Sequence, residues 1–255
     1  MSKPSKLYPV TNIETEESRW RGLYKVAGVT AIISVIVGLI ESIIMFLPGG
    51  STSPETVTGW FALLQNNWFL GLRNLGLMNI IFIPLGIPTF LALYAAHRRT
   101  NKAYVALVAM IISFVGITVF LATNRAFPML ELSNQYASAV TDAQRSIITT
   151  AGQSMLSVGK SHVPGTFIGF SLGEIAGITI SIVMLWGKIF SKTNAFVGIF
   201  GFTFLLVNEI FSSFAPGLLN TYMIFGMGGG LLSMIWYIMI SRRFFQLGYT
   251  EKSRS

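Results

Sequence analysis

Six apolar runs, each long enough to cross a bilayer as a helix, constrain this chain more than anything else in it. A helix needs roughly 20 predominantly apolar residues to span the hydrocarbon. Such runs fall at about 23–47, 71–96, 103–123, 165–187, 195–214 and 219–241. The predicted fold class is therefore all-α: a polytopic membrane protein with six transmembrane helices. The surface chemistry agrees. Only 11% of the 255 residues are charged, against about a quarter in soluble domains. So few charges do not make a water-facing surface, and the solvent around the chain is partly lipid.

The segments between the runs are easy to tell apart. Residues 1–21 are polar and lack the apolar core and small-residue cleavage site of a removable leader, so they read as a cytoplasmic tail. Pro48, Gly49 and Gly50 end the first span. Ser53 before Pro54 has the look of an N-cap and first turn. Val57, Trp60, Phe61 and Leu64 then share one face of a helix too short and too polar to span. This predicts a helix lying at the interface. Residues 124–164 carry Gln135, Asp142, Gln144, Arg145, Gln153 and Lys160, so they form an extracytoplasmic helical cap rather than a span. Within it Thr141 and Gln144 have capping-box spacing. Ile147, Ile148, Ala151 and Met155 mark an apolar stripe. Pro84 and Pro88 predict a kink in the second span, or a helix interrupted around a site. Residues 243–255 close the chain as a basic tail.

Charge placement orients the bundle. Six spans put both termini on one side. That side receives Lys3, Lys6, Arg19, Arg21 and Lys25, then Arg98, Arg99 and Lys102, then Lys188 and Lys192, then Arg242, Arg243, Lys252 and Arg254. Only Arg73, Arg125, Arg145 and Lys160 lie opposite. The positive-inside rule places both termini in the cytoplasm, of a cell-membrane protein. Trp20, Trp186 and Trp236 at the inner boundary and Trp60 and Trp68 at the outer one read as two aromatic belts. The net charge of +8 follows from topology, so lipid rather than nucleic acid is the expected partner. Oligomeric state is not encoded legibly.

Three carboxylates fall within the spans: Glu41, Glu174 and Glu209. At about 1.5 Å per residue, Glu174 lies roughly 13 Å below the outer end of its run. A charge at that depth costs on the order of 2.5–3.5 kcal/mol on insertion scales. Arg73, Asn79 and Asn208 add polar groups in the outer half. Two readings account for them. In one, an outward polar cavity binds a small solute or proton, with Glu174 at its floor and Glu41 and Glu209 on its walls. In the other, each carboxylate bonds a neighbouring helix and fixes packing. His97 and His162 read as surface residues at opposite ends.

Gly165, Gly169, Gly173 and Gly177 recur every fourth residue, which puts them on one helix face. Thr30, Ser34, Gly38 and Ser42 make a similar row in the first span. Such faces let helices approach backbone to backbone. They serve static packing, or a sliding seam between inverted halves.

Cysteine is absent, which excludes disulfides, thiolate metal sites and thiol catalysis. Two His are too few for a three-His metal centre. No phosphate-binding loop, GxSxG or HExxH is present, so neither a catalytic residue nor a cofactor is predicted. ALYAAHRR at the end of the second span, SNQYASAVTDAQRSIITTAGQSML after the third, and the glycine-rich fourth span opening with Gly165 and Thr166 resemble a prokaryotic six-span membrane family. That family is catalogued as domain of unknown function 4386. The resemblance covers about residues 22–240. It implies a multi-pass membrane fold and no agreed activity. The leading functional expectation is a protein that binds or transports a small solute or proton. The alternative is a non-transporting membrane module whose outer cap binds a partner protein or lipid.

Overall fold

A computed structural model describes residues 10–46, 53–159, 162–215, 217 and 219–249. The sequence expectations on Lys3, Lys6, Pro48, Gly49, Gly50, Lys160, Lys252 and Arg254 lie outside the described residues. The described chain is all-helical, and six of its helices are long and apolar enough to cross a membrane.

The first is α1 (Val10–Phe46), whose apolar part runs from Trp20 to Ile44. After it come α2 (Val57–Asn66) and α3 (Trp68–Asn74). The second span is in pieces: α4 (Leu77–Phe82), a 3₁₀ turn over Ile83–Leu85, and α5 (Gly86–His97). Then follow α6 (Ala103–Thr123), the cap helices α7 (Ala126–Ser138) and α8 (Asp142–Gly159), α9 (Phe167–Gly187), α10 (Lys192–Phe214) and α11 (Leu219–Tyr249).

The second span starts at Leu77 rather than near 71. The cause is Gly76, whose φ of 96° is a left-handed conformation that glycine adopts readily. It separates the short α3 from the membrane helix. Further on, Pro84 has no N–H to give and α4 ends in a 3₁₀ turn. The span tightens there for one turn, while Ile83, Leu85 and Gly86 keep right-handed helical backbone and the helix runs on to His97. The fourth span starts at Phe167, which leaves Gly165 in the preceding turn.

The spanning helices pack in chain order as a ring: α1 on α5, α5 on α6, α6 on α9, α9 on α10, α10 on α11, and α11 back on α1. The closing contact is specific. The Ser241 hydroxyl donates to the Gly28 carbonyl at 2.8 Å, and Tyr24 stacks on Phe244. Lys25 lies over the Tyr249 ring, so both ends of the described chain are at one end of the ring. Outward-facing Val29, Ile36, Ile43, Ile111, Phe200 and Leu231 are each about half exposed. In water such a belt would be a large apolar patch. In a bilayer it is the lipid contact.

The other end carries the cap. The face of α2 expected to rest on lipid rests on protein instead. Val57, Trp60, Phe61 and Leu64 are buried with Leu72, Leu75, Ala126 and Met129, and with Ile148 and Met155 of α8 packed around them. A single amphipathic helix leaves its apolar face to lipid, but here two more amphipathic helices supply a better cover. The Ser133 hydroxyl donates to the Phe61 carbonyl, and the Asn124 amide donates to the Leu75 carbonyl, so the cap is pinned to α2 and α3. Thr141 and Gln144 form the predicted capping box: Gln144 N–H donates to Thr141 Oγ1 and Thr141 N–H to Gln144 Oε1. The N-cap of α2 is Thr56, which accepts from Gly59 N–H, and not Ser53.

Two tryptophans assigned to aromatic belts are core residues. Trp60 is 1% exposed in the cap and Trp236 is fully buried in the ring. Trp68 and Trp186 are exposed as expected. His97 is fully buried, not a surface residue. Its Nδ1 lies 2.8 Å from the Leu93 carbonyl and its ring stacks on Phe190.

Candidate functional site

The ring encloses a cavity of about 230 Å³. Its walls come from five of the six spans. The second span gives Asn79 and Phe82 before its 3₁₀ turn, Ile83 within it, and Gly86 and Phe90 after it. Helix α6 gives Ser113 and Ile117. Helix α9 gives Gly169, Phe170, Gly173 and Glu174. Helix α10 gives Phe202, Leu205 and Asn208, and α11 gives Ser233 and Tyr237. His162, from the turn between cap and α9, completes the lining.

The glycine row explains why there is room. The row does not face one neighbour along its length. A side chain at Gly169 would meet the backbone of Phe120 on α6 at 3.0–3.1 Å, and one at Gly177 would meet the Phe202 ring on α10 at 2.5–2.6 Å. At Gly173, between them, a Cβ would meet nothing within 4 Å. Helices α6 and α10 thus touch α9 above and below, and the bare stretch at Gly173 opens onto the cavity. Gly116 of α6 reinforces the upper contact, since its Cβ position is 3.2 Å from both Gly169 O and Gly173 N. Gly165 takes no part in this seam. Its neighbours are the carbonyls of Ser157 and Val158, at 2.5–2.6 Å from its Cβ position, where α8 ends.

Glu174 is one residue beyond Gly173, about 10 Å along the helix from Phe167. It lines the cavity, and its Oε2 is buried with no hydrogen-bond partner among the described residues. Glu209 is different. It is 1% exposed, yet both of its oxygens are engaged. His162 Nδ1 lies 2.6 Å from Oε2, and the Ser213 hydroxyl donates to Oε1 at 3.3 Å. The imidazole also stacks on Phe170, with centroids 4.9 Å apart. His162 has φ 57°, a left-handed conformation that an L-residue holds only when its surroundings fix it.

Glu41 and Arg73 meet each other outside that lining. Arg73 Nη2 is 2.8 Å from Glu41 Oε1, Arg73 Nε donates to Oε2 at 3.2 Å, and Nη1 donates to Asn74 Oδ1 at 2.9 Å. The guanidinium is buried while the Glu41 side chain is 40% exposed. This two-point pairing ties α1 to α3 at the margin of the bundle. The structure therefore brings Glu174, Asn79 and Asn208 to one cavity, sets Glu209 behind its His162 wall, and separates the Glu41–Arg73 pair. Among the described residues no group of three His, Asp or Glu could hold a metal ion.

His162 is exposed, as expected from the sequence, with 47% of its side chain accessible, but it also lines the cavity. Its partner lies 47 residues away, so no local spacing could reveal the pairing. The five aromatic rings around the cavity (Phe82, Phe90, Phe170, Phe202 and Tyr237) were equally hidden, because aromatic residues are scattered through every span. No family model, no curated protein and no solved structure matched the chain.

Proposed function

We propose that this protein binds a small solute or a proton in the cavity floored by Glu174 and carries it part or all of the way across a cell membrane. One observation carries the reading. Glu174 lines a cavity among membrane helices, and its buried Oε2 has no hydrogen-bond partner among the described residues. Intramembrane carboxylates are costly and ordinarily paired. A transient occupant, a proton or a solute, is the natural partner for one that is not. The positive-inside bias puts both termini in the cytoplasm, so the cavity's His162 end faces outward. Six-span family membership belongs to the same reading. It implies the fold and assigns no role to any residue. No catalytic step is part of the proposal.

The alternative in which the cap binds a partner has less behind it. The cap turns most of its apolar surface inward, leaving Val140 and Ile147 as its most exposed large apolar side chains among the described residues.

The natural absence of cysteine makes the test direct. In intact cells, Ser233→Cys on the cavity wall should react with a membrane-impermeant thiol reagent, while Ser241→Cys, buried at the terminal end, should not. Proteoliposomes holding an entrapped pH dye should show proton flux that Glu174→Gln abolishes. No labelling of Ser233→Cys together with unchanged flux would overturn the reading.

A further inference from the structure

The lining of the cavity goes further than the presence of a carboxylate, and identifies the charge and shape of the occupant. Building on the solute-binding reading, we infer that the cavity is a site for an organic cation, a substituted ammonium with an apolar body.

None of the lining residues is Lys or Arg. The arginine nearest in sequence to the second span, Arg73, is bonded to Glu41 at the margin. The one lining carboxylate is Glu174, and its Oε2 has no partner. Glu209 stands behind the His162 wall, bonded to it. An anion entering this space meets a carboxylate and no Lys or Arg, its one basic neighbour being the His162 imidazole already bonded to Glu209, and it would lose its hydration in a largely apolar site. To a cation the same carboxylate is a counter-charge.

The second element is what surrounds the carboxylate. A bare metal ion replaces its water with a compact shell of oxygen ligands at short, regular distances. Here the polar groups are one carboxylate, the amides of Asn79 and Asn208, the hydroxyls of Ser113, Ser233 and Tyr237, and the His162 imidazole, and they share the wall with aromatic rings. Phe82, Phe90, Phe170, Phe202 and Tyr237 supply the rest of the wall. Aromatic faces attract a positive charge through the ring quadrupole, more strongly where the site is desolvated. They also cover methyl and methylene groups as any apolar wall does. A carboxylate set among rings therefore suits an ammonium whose charge is spread over alkyl or aryl substituents. It does not suit a strongly hydrated inorganic ion.

Size is the third element. The volume of about 230 Å³ is below the ~300–1,000 Å³ of sites for drug-sized ligands, which points to a cation of roughly ten non-hydrogen atoms or fewer. Gly173 contributes directly, because the absence of a side chain there leaves the space beside Glu174 free.

The test compares charge at constant shape on the purified full chain in nanodiscs, by calorimetry. The probes are tetramethylammonium, choline and benzyltrimethylammonium, with 3,3-dimethylbutan-1-ol as the neutral carbon isostere of choline. At least one ammonium should bind, choline or a relative should exceed the neutral isostere about tenfold or more, and Glu174→Gln should remove that preference. The wild-type comparison needs no variant, so a misfolded Glu174→Gln leaves it intact. Equal binding of choline and its isostere overturns the cation assignment and leaves the solute-binding reading standing. So does the failure of all three ammonium ions while Ser233→Cys is labelled from outside. A cavity that binds none of the probes and is closed to thiol reagent overturns both.

Discussion

The Glu41–Arg73 corner and the Glu174 cavity set a carboxylate in the same apolar slab, and they resolve the problem in opposite ways. At the corner, a buried guanidinium meets both oxygens of a carboxylate that also reaches solvent. In the cavity, an oxygen is buried and unmatched. Glu209 lies between these cases: as deep in protein as any charged group here, but bonded on both oxygens. Depth alone, then, does not separate a structural acid from a working one. Pairing does. A carboxylate whose partners are fixed side chains holds helices together, whereas one whose partner is missing is available to something that comes and goes.

That contrast can be broken by substitution, with thermal unfolding in detergent micelles followed by helical circular dichroism. The largest effect should come from Glu209→Ala, which strands the Ser213 hydroxyl and unpins His162. We expect a loss of about 2 kcal/mol. If unfolding is unchanged, the His162–Glu209 pair does not hold the cap turn to α10. Next comes the glycine pair. Gly177→Ala drives a methyl into the Phe202 ring and should cost about 1–2 kcal/mol, whereas Gly173→Ala enters open space and should stay within about 0.5 kcal/mol. Equal penalties at the two sites would mean that α9 has no bare stretch facing a cavity. Glu41→Gln weakens a pair that is partly open to solvent, so its expected loss is below about 1 kcal/mol. Smallest of all is Glu174→Gln. With no fixed partner to lose, its midpoint should not fall, and removing an unmatched charge can raise it. A midpoint lowered more by Glu174→Gln than by Glu41→Gln would make Glu174 a packing residue and reverse the comparison.

Much of the architecture was legible in the residues. The spans follow from length and apolarity, as in the smooth run from Ala103 to Thr123, which became α6 without a change of boundary. The capping box at Thr141 and Gln144 was equally plain, because its geometry is local. What escaped was whatever depends on a second helix. Trp60 reads as an interface anchor until α7 and α8 cover it. The glycine row looks like one seam, because sequence spacing shows that residues share a face and not which neighbour each one meets. Gly169 meets α6, Gly177 meets α10 and Gly173 meets neither. The depth of Glu174 could be counted along its helix. Its lack of a partner could not, since that is a property of the four other helices around it.

The bond from Ser241 back to Gly28 joins residues 213 positions apart, and this has a consequence for biogenesis. Helices inserted one after another from a ribosome can form every lateral contact in turn except that one. Until the last span arrives the barrel is a strip with two raw margins, and α10 lacks the neighbour that supplies Ser233 and Tyr237 to the chamber. A nascent chain stalled before its final helix would therefore hold Glu174 in a half-built recess open to lipid, where quality-control proteases that read polar groups in the bilayer would find it.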